Sequence, residues 1–330
     1  MSPTPDQAAP PLQTVHPHQI GVQEFAAYSL VIDARSRKAF GVDHIPGAVS
    51  LPSGSRGGID RLRGLVGHLS TDAAVLLYAD SSERTLDAWA AWLRTEGFVA
   101  DVIPGGWSSY RRWVTAGLEL MPRLFAFRVL AAPLASGIEL VALALCELGE
   151  QVIDLGEQVD VARWPGIATR RRRLSQDAFD TWLLTVLRHR ETDRRVWLVE
   201  PLVANSALRL PAALREAMQR APRTVLCVPA AERAHEWSER VSRANVPLST
   251  AMQSAAHACG LAPDDLMPLA HSRLASAPAD AVMTDALERC DKTPIHEAAL
   301  SHPANTLLVQ SLAGDALRAE VEQFLVQSNP

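Results

Sequence analysis

Hydrophobic positions along the chain fall into short apolar runs separated by amphipathic stretches. SLVIDAR (Ser29 to Arg35), AAVLLYA (Ala73 to Ala79) and FVADVIPGG (Phe98 to Gly106) each read as a strand closed by a turn. Between the second and third, Leu86, Trp89, Ala90 and Leu93 recur at helical spacing. Nearly continuous apolar strands alternating with helices predict a parallel sheet covered on both faces. The pattern restarts after Met121-Pro122. LFAFRVLAA is an apolar strand, PLASG a loop and IELVALALCELG a helix; QVIDL, RRVWLVE and RTVLCVP are further strands, with helices DAFDTWLLTVLRHR and LPAALREAMQRA among them. From about Ala231 onward the chain reads as mostly helical. The fold class expected is α/β twice over, with a lead-in at 1–15, a first domain at 16–120 and a second at 121–330.

Bulk properties refine this picture. The chain has 330 residues, enough for two cores, with 48% hydrophobic and 21% charged residues. No apolar run approaches the ~20 residues a membrane span needs, so no membrane partner is expected. The opening MSPTPDQAAPPLQ reads as a disordered lead-in without the order of a secretion signal. Cys146, Cys227, Cys259 and Cys290 are far apart, with no CxxC pair. That spacing favours a reducing, cytoplasmic setting over a disulfide framework or a structural zinc site. His235, His257, His271 and His296 have no metal-ligand spacing, and no metal is expected. The net charge of −5 offers no global attraction to nucleic acid. The run Arg170, Arg171, Arg172, Arg173 is a local exception that reads either as a solvated face or as a phosphate contact.

DARSRKAFGVDHIPGAVSLP (Asp33 to Pro52) resembles the opening signature of rhodanese-like domains, with Asp33, Arg35, His44, Ile45, Pro46, Gly47 and Ala48 in matching order. GGWSSYRRW (Gly105 to Trp113) is similar to that family's closing signature. The resemblance gives Asp33, Arg35 and His44 a loop-bracing role. It places a C-x-x-G-x-R loop between the second strand and its helix, where converging N–H groups stabilise a thiolate and its persulfide. Here that string is A-D-S-S-E-R: Ala79 replaces the cysteine, Ser82 the glycine, and Arg84 is kept. A methyl group cannot carry a sulfur atom, so sulfur transfer by this loop is not expected.

The strand–loop–helix at VLAAPLASGIELVALAL stands where a phosphate-binding loop, G-x-x-x-x-G-K-[ST], would lie. Aligned to it, Ala132 replaces the first glycine, Gly137 keeps the second, Ile138 replaces the lysine and Glu139 the hydroxyl. This order of parts resembles tRNA 2-selenouridine synthases, as do GEQVIDL, LSQDAFDTWL and VWLVEP with Glu200 as the third-strand acid. The resemblance implies a P-loop-like second domain. It also implies exchange of sulfur for selenium in wobble 2-thiouridine through an S-geranylated intermediate, using geranyl diphosphate and selenophosphate. The cysteine, the lysine and its hydroxyl, and the family's H-R-G-S string are missing, with Arg163 and Gly166 the remnants of the last. The expectation is therefore a degenerate homologue that needs no cofactor and binds tRNA or a protein, such as an active relative. The alternative is an active synthase using other residues.

Overall fold

The computed structural model describes residues 27–80, 84–158, 163–167, 174–200, 208–266, 278–301 and 303–328. They form two compact units: Met1–Met121 with Ser175–His189, and Pro122–Leu174 with Arg190–Pro330. The lead-in at 1–15, Ser82, and Arg170 to Arg173 lie outside the described residues.

In the first unit, strands β1 (Leu30–Asp33), β2 (Val49–Ser50), β3 (Ala74–Tyr78) and β4 (Val99–Val102) form a parallel sheet ordered β2-β1-β3-β4. β1 sets Leu30 to Asp33 against Val75 to Tyr78 in unbroken register. The run Val75, Leu76, Leu77 and Tyr78 is buried throughout, as a strand with helices on both faces requires. Helices α1 (Arg37–Val42), α2 (Gly58–Val66), α3 (Arg84–Thr95) and α4 (Gly106–Leu120) connect or follow the strands. α3 buries Leu86, Trp89, Ala90 and Leu93, the residues spaced three and four apart in the sequence. Burial of each large side chain of that stripe contributes about 1.5–3 kcal/mol.

The second unit has five parallel strands: β5 (Phe127–Ala131), β6 (Gln151–Asp154), β7 (Val196–Val199), β8 (Arg223–Cys227) and β9 (Asn305–Leu308), in the order β6-β7-β5-β8-β9. Its first strand is central. The connections leave β5 to one side of the sheet and pass later to the other, which puts the topological switch point at the carboxyl end of β5. α5 (Ile138–Glu147) follows that end directly. α7 (Ala212–Arg220), α8 (Ala230–Arg243), α9 (Leu248–Ala258), α10 (Ala279–Asp291), α11 (Pro294–Leu300) and α12 (Gly314–Gln327) supply the helical C-terminal part. β9 lies within that part, and the pattern of the sequence did not announce it. Its exposed Leu308 and polar Asn305 and Thr306 give an edge strand a weak signal.

α6 (Gln176–Arg188), although bracketed in sequence by the second unit, belongs to the first. Ser175 caps it by accepting from Ala178 N at 3.1 Å. Phe179, Leu183, Leu184 and Leu187 are buried. Gly117 of α4 lets Leu184 approach, since a Cβ there would stand 2.7 Å from Leu184 Cδ1. Arg111 of α4 donates to Asp177 Oδ1 at 3.0 Å, Asp180 Oδ2 at 3.3 Å and Thr181 Oγ1 at 3.1 Å, and to Asp43 Oδ2 at 3.3 Å. Among the described residues no helix is long and apolar enough to cross a membrane.

Candidate functional sites

The first site is the turn that leaves β3. Ala79 is fully buried, and its methyl sits in the apolar cluster with Ile32, Leu77 and Leu86. Its carbonyl accepts from Trp107 N at 2.7 Å. Gly106 must be glycine here: its φ is +57°, and a Cβ would stand 2.2 Å from Ala79 O. Asp80 and Arg84 are exposed on either side of the undescribed residues 81–83.

Beneath this turn lies a buried polar cluster. Arg35 and Asp33 are 4% and 0% exposed. Arg35 Nη2 reaches Asp33 Oδ2 at 2.7 Å, its Nε stands 3.1 Å from both carboxylate oxygens, and its backbone N donates to Oδ1 at 2.9 Å. Tyr78 donates its hydroxyl to Asp33 Oδ2 at 2.7 Å and accepts from Ile45 N at 3.1 Å. Burial first, then the Asp33 charge, push the phenol pKa far up, so it stays a donor. Burial alone would lower the Arg35 pKa, but its bonds to Asp33 outweigh that and raise it. The guanidinium also lies 3.7 Å from the Trp107 ring centroid and donates to Asp43 O at 2.6 Å. His44 places Nδ1 3.0 Å from Phe40 O, with its ring stacked on Phe40. Every oxygen of Asp33 is taken by donors. The cluster fixes the ends of β1 and β3 and keeps Asp33, Arg35 and Tyr78 away from solvent.

The second site is the loop between β5 and α5. Ala132, Leu134, Ala135, Ser136 and Ile138 are all buried. Two of the loop's backbone donors are engaged within the chain: Leu134 N donates to His296 Nε2 at 3.2 Å, and Ala135 N to Arg163 O at 3.2 Å, while Ser136 Oγ is buried with no hydrogen-bond partner among the described residues. Leu134 O accepts from Arg233 Nη1 at 2.9 Å, and Arg233 is itself ion-paired with Asp291. Ala135 adopts a left-handed φ of 56°, which is uncommon for alanine. A Cβ on Gly137 would meet Leu312 Cδ2 at 2.9 Å, so a leucine already occupies the space before it.

His296 is fully buried, and burial lowers its pKa. Because Nε2 accepts from Leu134, the ring proton resides on Nδ1, 3.2 Å from Thr293 Oγ1, which in turn donates to Cys290 O at 2.8 Å. Glu139 accepts from Trp164 Nε1 and stands 3.7 Å from Arg240. Arg163 is paired with Asp154, and Glu200 with Arg223. Gly166 has a φ of +80° and faces the Ala251 backbone, where a Cβ would stand 2.9 Å from Cα. Nothing local in the sequence marks Tyr78, Arg233 or Leu312, Trp107 is marked only as part of GGWSSYRRW, and His296 is one of four histidines without metal-ligand spacing. Only a map of long-range contacts brings them to the loops, for 162 residues separate Leu134 from His296.

All four cysteines lie in the second unit. Burial pushes up the Cys227 thiol, and a hydrogen bond to Cys290 together with burial pushes up Cys259. Neither is activated as a nucleophile. Among the described residues no group of three or more His, Cys, Asp or Glu could hold a metal ion.

Residues 21–112 match the rhodanese-like domain family. The first unit carries a rhodanese-like domain. Among solved structures, the Alr3790 protein from Anabaena sp. is similar at 22% identity over 26% of this chain and 71% of its own, with a TM-score of 0.22. The BH2092 protein from Bacillus halodurans is similar at 24% identity over 25% of this chain and 58% of its own, with a TM-score of 0.21. No curated protein matches the chain. In the rhodanese-like domain, then, the turn after β3 carries a buried methyl group at Ala79, whose carbonyl accepts a backbone bond from α4.

Proposed function

We propose that this chain is a catalytically silent relative of tRNA 2-selenouridine synthases, retaining two α/β scaffolds as a tRNA-binding surface. The observation that carries the reading is the state of the two loops. The first has Ala79 where the family's thiol would stand, and the second has spent the N–H groups of Leu134 and Ala135 on its own chain. The position of the second loop at the switch point supports descent from a phosphate-binding scaffold. Its Ile138 and Glu139 put an apolar group and a carboxylate where a cation and a magnesium ligand would act. Loss of one electrostatic partner of a transition state costs ~2.7–4 kcal/mol, and several are lost together. In this reading Arg170 to Arg173 supply the phosphate contacts, and no geranyl diphosphate or selenophosphate is used.

The test incubates the purified chain with thiolated tRNA, geranyl diphosphate and selenophosphate, then reads the wobble nucleoside by mass spectrometry. No mass change is expected; a selenated or geranylated uridine would overturn the silent-enzyme half. In parallel, tRNA affinity should fall steeply with salt, and replacing Arg170 to Arg173 by alanine should flatten that slope. A protein that shows no salt-dependent tRNA binding would remove the RNA half and leave a protein partner.

A further inference from the structure

The amino end of the second sheet, opposite the β5–α5 loop, carries a cavity of about 650 Å³. It forms where neighbouring strands begin. Phe127 and Arg128 open β5, Arg195 immediately precedes β7, and Pro222 precedes β8, while the last turn of α7 adds Arg220 and the segment before β5 adds Arg123 and Phe125. Its size lies in the range of small-molecule sites, ~300–1,000 Å³. Four arginines line it, with no aspartate or glutamate among the lining residues.

Some of these cations have partners. Arg195 stands 3.6 Å from Glu150, which also accepts from Trp197 Nε1 at 3.0 Å. Arg220 lies in the last turn of α7, where a cation suits the helix dipole. Arg128 differs. Its guanidinium lies 5.2 Å from the Trp197 ring centroid, and its Nη1 is buried with no hydrogen-bond partner among the described residues. Burial and then the like charge of Arg195 lower its pKa, with Glu150 opposing. Like charge gathered at Arg123, Arg128, Arg195 and Arg220 around one cavity whose lining holds no carboxylate is unfavourable until an anion enters it.

We propose that this cavity binds a small organic polyphosphate of the nucleoside-diphosphate type, at least two linked phosphates with a flat or apolar body. Guanidinium forks match phosphate oxygens in pairs, and with Arg195 set against Glu150 three lining arginines remain, which the several negative charges of a diphosphate meet better than a single phosphate does. Phe125 and Phe127, their rings tilted at 38° with centroids 5.6 Å apart, give the body an apolar wall. The site is separate from the loop at Gly137, so it stands whether or not the chain binds tRNA.

Calorimetry on the full chain with ADP, AMP and inorganic pyrophosphate tests it. ADP should bind more tightly than AMP or pyrophosphate, and more weakly at high salt. R128A and R220E should each weaken ADP by about tenfold or more. Arg220 is exposed, so R220E keeps the test valid should R128A fail to fold. No binding of ADP or pyrophosphate at millimolar concentration would overturn the proposal, as would wild-type affinity in R220E. So would loss of ADP binding in I138E with retention in R220E, which moves the ligand to the loop. Tighter binding of a short oligoribonucleotide than of ADP, lost in R220E, would also overturn it, in favour of RNA.

Discussion

The two strand-to-helix turns, one at Ala79 and one at Leu134, solve the same problem in opposite ways. Each must hold backbone at the carboxyl end of a buried strand. The first turn rests on charge: Asp33 and Arg35 form a buried pair completed by a phenol whose proton burial locks in place. The partners come from adjacent strands of one sheet. The second turn rests on a neutral imidazole and on Arg233, brought from helices that follow much later in the chain. A buried ion pair is costly to break but insensitive to neutral pH, whereas a buried imidazole is weaker and titrates. The contrast separates a turn frozen within its own sheet from one that depends on the helical C-terminal part being docked.

Perturbing five places in the chain sharpens this contrast. Asp33→Ala should have the largest effect, about 3–5 kcal/mol by chemical denaturation, because it strands a buried guanidinium. A loss below 1 kcal/mol would mean the pair is not the first turn's main support. Gly106→Ala should cost about 3 kcal/mol, since the left-handed φ and the contact with Ala79 O both act against a Cβ. His296→Ala should cost about 1–3 kcal/mol by leaving Leu134 N without an acceptor.

His296 also makes the second turn acid-sensitive. Its folded pKa lies below the ordinary 6.5, so the unfolded chain binds more protons just below that value. Stability is full above 6.5 and falls as pH drops from there to the lowered pKa. Denaturation midpoints across that window should show this slope in the wild type and not in H296A. Asp43 and Asp180 in the first unit are raised by burial, the larger cause in each, and run the other way. The folded form takes up protons first, so their contribution improves as pH falls through the raised values toward the ordinary 3.8.

Arg111→Ala should cost about 1–2 kcal/mol, measured by the same unfolding curves, because Arg111 is partly solvated and its carboxylate partners repel once it is gone. Breaking the exposed Arg63–Asp60 pair should change stability by only ~0.3 kcal/mol, and a larger loss would show that exposed charge matters more here than the buried clusters suggest.

Most of the sheet framework could be read in advance because its signal is local. SLVIDAR, AAVLLYA and RRVWLVE contain β1, β3 and β7, and the spacing of Leu86, Trp89, Ala90 and Leu93 marks the face of α3 that is buried. Two-residue β2 and edge strand β9 carry too little apolar pattern to be seen. α6 could be read as a helix, but no local pattern tells which core its Leu183 and Leu187 will join.

The sequence by itself determined the parallel α/β character of both halves, the rhodanese-like signature, and the want of a thiol at Ala79 and of a lysine at Ile138, since Ala79, Ile138 and Glu139 are what they are in any conformation. Tertiary structure decided what occupies those loops. His296 and Leu312 reach the second loop only after the C-terminal helices pack, and Arg128 meets Arg195 and Arg220 only because three strands begin side by side. Side-chain identity is a local property. Hydrogen-bond satisfaction and charge crowding depend on distances that exist only once the sheet has formed.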